Sequence, residues 1–149
     1  SGLIGTDANL AAPGKRMLSS MTPTILARDG ELLAVIGSPG GRTIINTVLQ
    51  LVLNLVDHRM GFPEAVEAGR IHHQWLPDRI TVEEGALSEP TVRALESMGH
   101  TVVERSRQGL AHSIWIDPEG DSFVGTADAR NPESAAAAPV NDYATTPPA

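Results

Sequence analysis

Val35-Ile36-Gly37-Ser38-Pro39-Gly40-Gly41-Arg42-Thr43-Ile44-Ile45-Asn46 passes from an apolar β-like run, through a glycine-rich turn, into an apolar helical run. A strand that stops at Gly-Ser-Pro and resumes as a helix implies mixed α and β structure joined by a tight connection. Gly40 and Gly41 carry no Cβ, so another group can approach their backbone N–H closely. At a helix start such N–H groups lack an intrahelical partner and lie at the positive end of the helix dipole. That suits an anion or a developing oxyanion. A plain strand-to-helix turn has the same pattern, and the stretch is neither a P-loop nor GxGxxG. Taken alone, it reads as a turn.

Upstream, Thr24 to Arg28 and Glu31 to Ile36 are apolar runs separated by Asp29-Gly30, a hairpin signal. Downstream, Thr43 to Arg59 forms the longest periodic segment, about 25 Å of helix. Ile44, Ile45, Val48, Leu49, Leu51, Val52, Leu53, Leu55 and Val56 cover most of its circumference. Burial on nearly all sides, or against a partner layer, is expected.

Pro63 opens a short helix to Glu67. Arg79 to Val82 and His100 to Arg105 read as strands. Between them Ser88 caps a helix running to Met98 and closed by Gly99. Ser113 to Asp117 and Ser122 to Gly125 form a second hairpin around Pro118-Glu119-Gly120-Asp121. Residues 1–17 read as loop, and from Asn131 onward an Ala, Pro and Thr-rich tail is expected to fray. The irregular alternation favours an α+β fold, antiparallel sheet with packed helices.

The 149 residues are enough for one domain with a real, mainly aliphatic core: two Trp, one Tyr and two Phe are present. The net charge of −7, with eleven scattered Lys and Arg, argues against a nucleic-acid partner. Without cysteine there is no disulfide, thiolate metal site or thiol nucleophile. No apolar run of about 18 residues spans a membrane. The start lacks the charged region of a signal peptide, although a parent chain could have carried one.

Four groups of residues could carry chemistry. Ser19-Ser20 can donate two hydroxyls to one carboxylate. Alone, the pair is read as a turn or as local backbone satisfaction. His72-His73-Gln74-Trp75-Leu76-Pro77-Asp78 contains adjacent histidines, but neighbours in an extended segment face opposite ways. It is read as a structural His-aromatic cluster, with no metal site. Asp128-Ala129-Arg130 is read as a surface or tail-tethering ion pair of small energetic weight. Ser1 could serve as an N-terminal nucleophile whose own α-amino group is the base, although chains begin at Ser for many reasons. His112 is assigned no role.

Lys15-Arg16-Met17-Leu18-Ser19-Ser20-Met21-Thr22-Pro23-Thr24-Ile25, then Gly37-Ser38-Pro39-Gly40-Gly41, then His72-His73-Gln74-Trp75-Leu76-Pro77-Asp78 resemble, in order and spacing, the γ-glutamyltranspeptidases. Each motif alone is weak, and the three in order are specific. The resemblance covers about Gly2 to Arg130, similar to the C-terminal part of the small catalytic subunit, and leaves 131–149 as a tail. It implies a share of the αββα sandwich of N-terminal-nucleophile hydrolases, built jointly with a large subunit and the N-terminal part of the small one.

The resemblance further implies γ-glutamyl transfer or glutathione hydrolysis through a γ-glutamyl-enzyme ester, without a cofactor or metal. Ser19 and Ser20 would hold the α-carboxylate of a γ-glutamyl small molecule, and Gly40 and Gly41 the oxyanion. The nucleophile would be a threonine a few dozen residues before Ser19, freed by self-cleavage; only eighteen residues precede Ser19 here. Ser1 is then not the nucleophile, and the chain alone would be inert. A periplasmic or extracellular location is implied by the family alone. Arg42 stands where a small residue is commoner, which would narrow the site entrance, and Ala129 where Pro is frequent, which would alter a turn. Similar scaffolds serve cephalosporin (glutaryl) acylases and poly-γ-glutamate transpeptidases, which remain alternatives.

Overall fold

The computed structural model describes residues 7–117 and 122–137. Strand β1 (Thr24–Arg28) pairs antiparallel with β2 (Glu31–Gly37). Asp29 and Gly30 both take positive φ, 53° and 87°, the twist that a two-residue hairpin needs. After β2 the chain turns through Ser38–Gly40 into a 3₁₀ turn, Gly41–Thr43, and directly into helix α1 (Ile44–Val56).

Helix α2 (Phe62–Glu67), with Pro63 in its first turn, leads to the two-residue strand β3 (Ile71–His72). Strand β4 (Ile80–Val82), helix α3 (Glu89–Ser97) and strand β5 (Val102–Glu104) follow. Ser88 caps α3 by accepting the Thr91 N–H, and Gly99 ends it at φ 93°. Strands β6 (His112–Asp117) and β7 (Ser122–Ala127) complete the order; the Pro118–Asp121 turn between them lies outside the described residues.

Two sheets result. The larger is antiparallel in the order β1-β2-β6-β7. The smaller runs β3-β4-β5, with β4 and β5 parallel across the α3 connection. The core lies between α1, α2 and the larger sheet: Ala34, Ile36, Val48, Leu51, Phe62, Val66 and Ala111. Phe62 stacks on Trp115 with ring centroids 5.9 Å apart.

Helix α1 is buried here along one face only. Thr47, Val48 and Leu51 are covered, whereas Ile45, Leu49 and Val56 are each at least half exposed. The sheet shows the same asymmetry. Ile25, Val35 and Ile114 are aligned by register on its outer face and are exposed. Of the two outcomes offered by the helix's apolar surface, burial within this chain fails for that second face.

Residues 131–134 form hydrogen-bonded turns. Asn131 and Ser134 close successive turns on Asp128 and Asn131, and Ala136 Cβ packs near the Cα of Gly125. The expected tail from 138 on lies outside the described residues.

Candidate functional site

The turn after β2 is held by its carbonyls. Ser38 Oγ donates to the Pro39 carbonyl at 2.6 Å. The Gly40 carbonyl accepts from Thr43 N–H (3.2 Å) and Thr43 Oγ1 (3.0 Å). The Gly41 carbonyl accepts from Ile44 N–H and from Ser20 Oγ, the latter at 2.7 Å. Because each peptide is planar and trans, fixing a carbonyl fixes the next residue's N–H to point the opposite way. The bonds to Pro39 and Gly40 therefore orient the N–H groups of Gly40 and Gly41, which lie in an exposed turn. Both glycines have positive φ, 141° and 58°. A Cβ at Gly40 would lie 2.7 Å from Thr43 Oγ1 and 3.3 Å from Gly109 Cα. Oriented N–H groups at a helix start are equipped to meet negative charge.

Of the two serines, only Ser20 reaches this turn. Ser19 Oγ accepts the Met21 N–H in an exposed local bend at 3.1 Å. Thr22 Oγ1 fixes the Ser20 carbonyl in turn. The Lys15–Ile25 and Gly37–Gly41 motifs, read separately in the sequence, thus form one surface through the Ser20–Gly41 contact.

The segment behind the turn is equally constrained. Leu110 N–H donates to Ser38 Oγ at 3.0 Å. Gly109, at φ 69°, packs so tightly on α1 that a Cβ would overlap Thr47 Oγ1. Gln108 next to it belongs to a buried ionic network that sequence inspection misses. Arg70 Nη2 donates to Asp128 Oδ2 at 2.8 Å, and Arg70 Nη1 to the Gln108 carbonyl at 2.9 Å. Glu83 accepts the N–H groups of Arg70 and Gln108 through its two oxygens. Arg130 grips Glu83 through Nε and Nη2 and reaches the Val66 and Ala68 carbonyls. Asp128 also accepts from the Ala111 and Arg130 N–H groups.

Asp128-Ala129-Arg130 is therefore not a surface pair: Asp128 is fully buried, and only 10 % of the Arg130 side chain is exposed. Two guanidiniums and two carboxylates compensate each other, so desolvation is offset by paired charge and hydrogen bonds. Burial alone would raise both carboxyls. Ala111, Arg130 and Arg70 nevertheless hold Asp128 below its ordinary value, and Arg130 with two backbone N–H groups does the same for Glu83. Burial and the nearby Arg130 charge lower Arg70; burial acts likewise on Arg130, but Glu83 and Asp128 outweigh it and raise Arg130. The available sequence signal was two charges bracketing Ala129 directly after an apolar strand, with Arg70 and Glu83 flanking short strands.

The histidines separate. His72 is buried, with Nε2 2.8 Å from Gln74 Oε1. His73 pairs with Asp78 at 3.2 Å and accepts the Trp75 N–H at Nδ1. Trp75 is 73 % exposed, so the expected His-aromatic cluster is replaced by His-Gln and His-Asp pairs. Among the described residues no group of three His, Cys, Asp or Glu could hold a metal. No helix among them is long and apolar enough to cross a membrane. Arg42 is exposed beside the glycine pair, and His112 pairs with Gly37 in register. Ser1 lies outside the described residues.

The scaffold is α+β, with two glycine N–H groups at a helix start beside a serine loop. The family model for Gamma-glutamyltranspeptidase matches residues 2–138, and the chain belongs to that family. It is 47 % identical over 130 residues to the Glutathione hydrolase proenzyme of Escherichia coli (strain K12), covering 87 % of this chain and 22 % of that relative. An Acylase ACY 1 proenzyme of Pseudomonas sp. (strain V22) is 39 % identical, with 78 % of this chain and 20 % of the relative covered. The crystal structure of a Helicobacter pylori Gamma-Glutamyltranspeptidase mutant superposes with a TM-score of 0.80 at 40 % identity, over 87 % of this chain and 70 % of that one. The chain thus spans about a fifth of the length of these curated relatives. Its fold is that of the N-terminal-nucleophile hydrolases to which the matched γ-glutamyltranspeptidase structures belong.

Proposed function

We propose that this chain is part of a γ-glutamyltransferase/glutathione hydrolase and supplies its oxyanion turn and carboxylate-binding serines. A hydroxyl nucleophile, supplied from outside the residues described here, attacks the γ-carbonyl of a γ-glutamyl compound. The carbonyl π electrons move onto oxygen, and the N–H groups of Gly40 and Gly41 receive that charge. Collapse expels the amine and leaves a γ-glutamyl ester, which water or an acceptor amine then cleaves. Ser19 and Ser20 hold the substrate's α-carboxylate, the Ser20 hydroxyl turning from the Gly41 carbonyl to donate to it. The large subunit and the N-terminal part of the small subunit complete the site. A periplasmic or extracellular setting follows from the family.

The observation that carries this proposal is the 2.7 Å bond from Ser20 to the Gly41 carbonyl, which joins two motifs 21 residues apart. In the assembled enzyme, replacing Ser19 and Ser20 together with Ala is expected to raise KM and cut kcat/KM for a γ-glutamyl anilide by about 100-fold or more. An unchanged kcat/KM overturns the assignment. The relative named as an acylase supports transfer of a different acyl group as the second reading, for which glutaryl is the candidate. Faster turnover of a glutaryl than of a γ-glutamyl anilide would establish it.

A further inference from the structure

Residues 108–111, between β5 and β6, form neither strand nor helix, yet their backbone is held by side chains from three other parts of the chain. Gln108 N–H donates to Glu83, Leu110 N–H to Ser38 Oγ at 3.0 Å and Ala111 N–H to Asp128 Oδ2 at 2.6 Å. The residues on either side of Gln108 are left-handed, with φ 30° at Arg107 and 69° at Gly109. A residue with a side chain rarely adopts that conformation, and it persists only where the surroundings fix it.

Gln108 supplies the fixing from one side. It is 3 % exposed. Its Nε2 donates to the carbonyls of Arg70 (3.1 Å) and Thr81 (3.2 Å), and its Oε1 accepts from Thr81 Oγ1 at 3.2 Å. Its backbone carbonyl accepts from Arg70 Nη1 at 2.9 Å. All of these partners lie in or beside β3 and β4. A buried amide satisfied this completely keeps one orientation, because rotating it leaves polar groups unpaired.

The other side of the segment bears on the glycine turn. A Cβ placed on Gly40 would lie 3.3 Å from Gly109 Cα, and one placed on Gly109 would lie 3.0 Å from Ser38 Oγ. A hydroxyl has one proton and two lone pairs. Ser38 accepts the Leu110 N–H on a lone pair, which leaves its proton for the Pro39 carbonyl. That is the bond that orients the Gly40 N–H.

We propose that Gln108 is a positioning residue for the turn at residues 37–41. It anchors the 107–111 segment to the smaller sheet, and that segment holds Ser38 and Gly40 in place. Only the catalytic consequence rests on the γ-glutamyl transfer proposed above. In that reaction Gln108 acts through Ser38 on where the Gly40 N–H points as charge develops on the carbonyl oxygen.

The test pairs hydrogen exchange with kinetics in the assembled protein carrying this chain. Gln108→Met keeps the side chain's approximate volume and removes its amide. Two hydrogen-bonded amides report the geometry: Leu110 in the segment and Thr43, whose N–H closes the turn on the Gly40 carbonyl. Exchange over 107–111 and 41–44, read by mass spectrometry, is expected to rise about tenfold. For a γ-glutamyl anilide kcat is expected to fall about tenfold with KM little changed. Because the effect passes through Ser38, Gln108→Met combined with Ser38→Ala should lose little more kcat than either alone. Phe62→Leu, which loosens the core at α2, should lower the melting temperature without lowering kcat, and so separates positioning from a general loss of stability. Unchanged exchange over 41–44 overturns the proposal, as do fully multiplicative losses of kcat in the double variant. Faster exchange with kcat unchanged in both Gln108→Met and Ser38→Ala upholds the positioning and counts against the oxyanion reading. If Gln108→Met does not fold, Ser38→Ala reads the same link from the turn: exchange over 107–111 should rise, and unchanged exchange there overturns the proposal.

Discussion

Arg70 Nη2 lies 2.8 Å from Asp128 Oδ2, with both side chains essentially inaccessible to solvent, although 58 residues separate them. The pair ties the end of the last strand to the segment between α2 and β3. Its energetic meaning lies in what happens when one partner is removed. An unpaired buried charge is strongly destabilising. Asp128→Ala or Arg70→Ala should each cost about 3–5 kcal/mol of folding stability. Urea unfolding of the assembled protein checks this. A loss no larger than that of an exposed pair such as Arg93–Glu89 would contradict the burial argument.

Acid should weaken the same network. The carboxyls of Asp128 and Glu83 are held below their unfolded values of 3.8 and 4.5. Depressed carboxyls contribute stability that is fully present above the unfolded values and is lost as pH falls through the folded ones. Unfolding midpoints should therefore be flat in this respect near neutrality and fall below about pH 5. In Glu83→Gln the remaining dependence should be shallower, measured as urea midpoint against pH.

Gly40→Ala and Gly41→Ala should differ. At Gly40 a Cβ meets Thr43 and Gly109 and φ is 141°, so strain of about 1–3 kcal/mol is expected. At Gly41 the space is open and φ is 58°, within reach of other residues at about 1–2 kcal/mol. Thermal melts should rank Gly40→Ala as the less stable. If the N–H groups receive an oxyanion, displacing the Gly40 N–H should also cut kcat by about 100-fold. Equal melting temperatures would contradict the geometry at Gly40.

Ser38→Ala probes orientation with little change in packing. Its hydroxyl fixes the Pro39 carbonyl, and hence the Gly40 N–H, while accepting from Leu110. If the Gly40 N–H receives an oxyanion, removing the hydroxyl should lower kcat about tenfold with KM for a γ-glutamyl donor changed little. A rise in KM at constant kcat would instead place Ser38 in ground-state binding.

The local elements were legible in the sequence because their signals are short-range. Asp29-Gly30 dictates a hairpin through two positive φ angles, Ser88 caps a helix, and Pro63 starts one. The glycine turn was legible for the same reason: Gly37-Ser38-Pro39-Gly40-Gly41 can neither continue a strand nor lie inside a helix. The order and spacing of its motifs sufficed to place the chain in its family.

Other features depended on distant parts of the chain meeting. No local signal distinguishes Asp128 and Arg130 from a surface pair. Their burial follows only when Arg70 and Glu83 arrive from β3 and β4 to compensate them. Nor does any local pattern tie Gln108 to the glycine turn, a link made by Thr81 and Glu83 on one side and Ser38 on the other. Periodicity showed that α1 is apolar nearly all round, and the tertiary structure decided which face this chain covers and which it leaves open. Backbone preference and hydrophobic period are properties of neighbours in sequence and can be read there. Charge compensation and burial are properties of neighbours in space, and they exist only once the chain has folded.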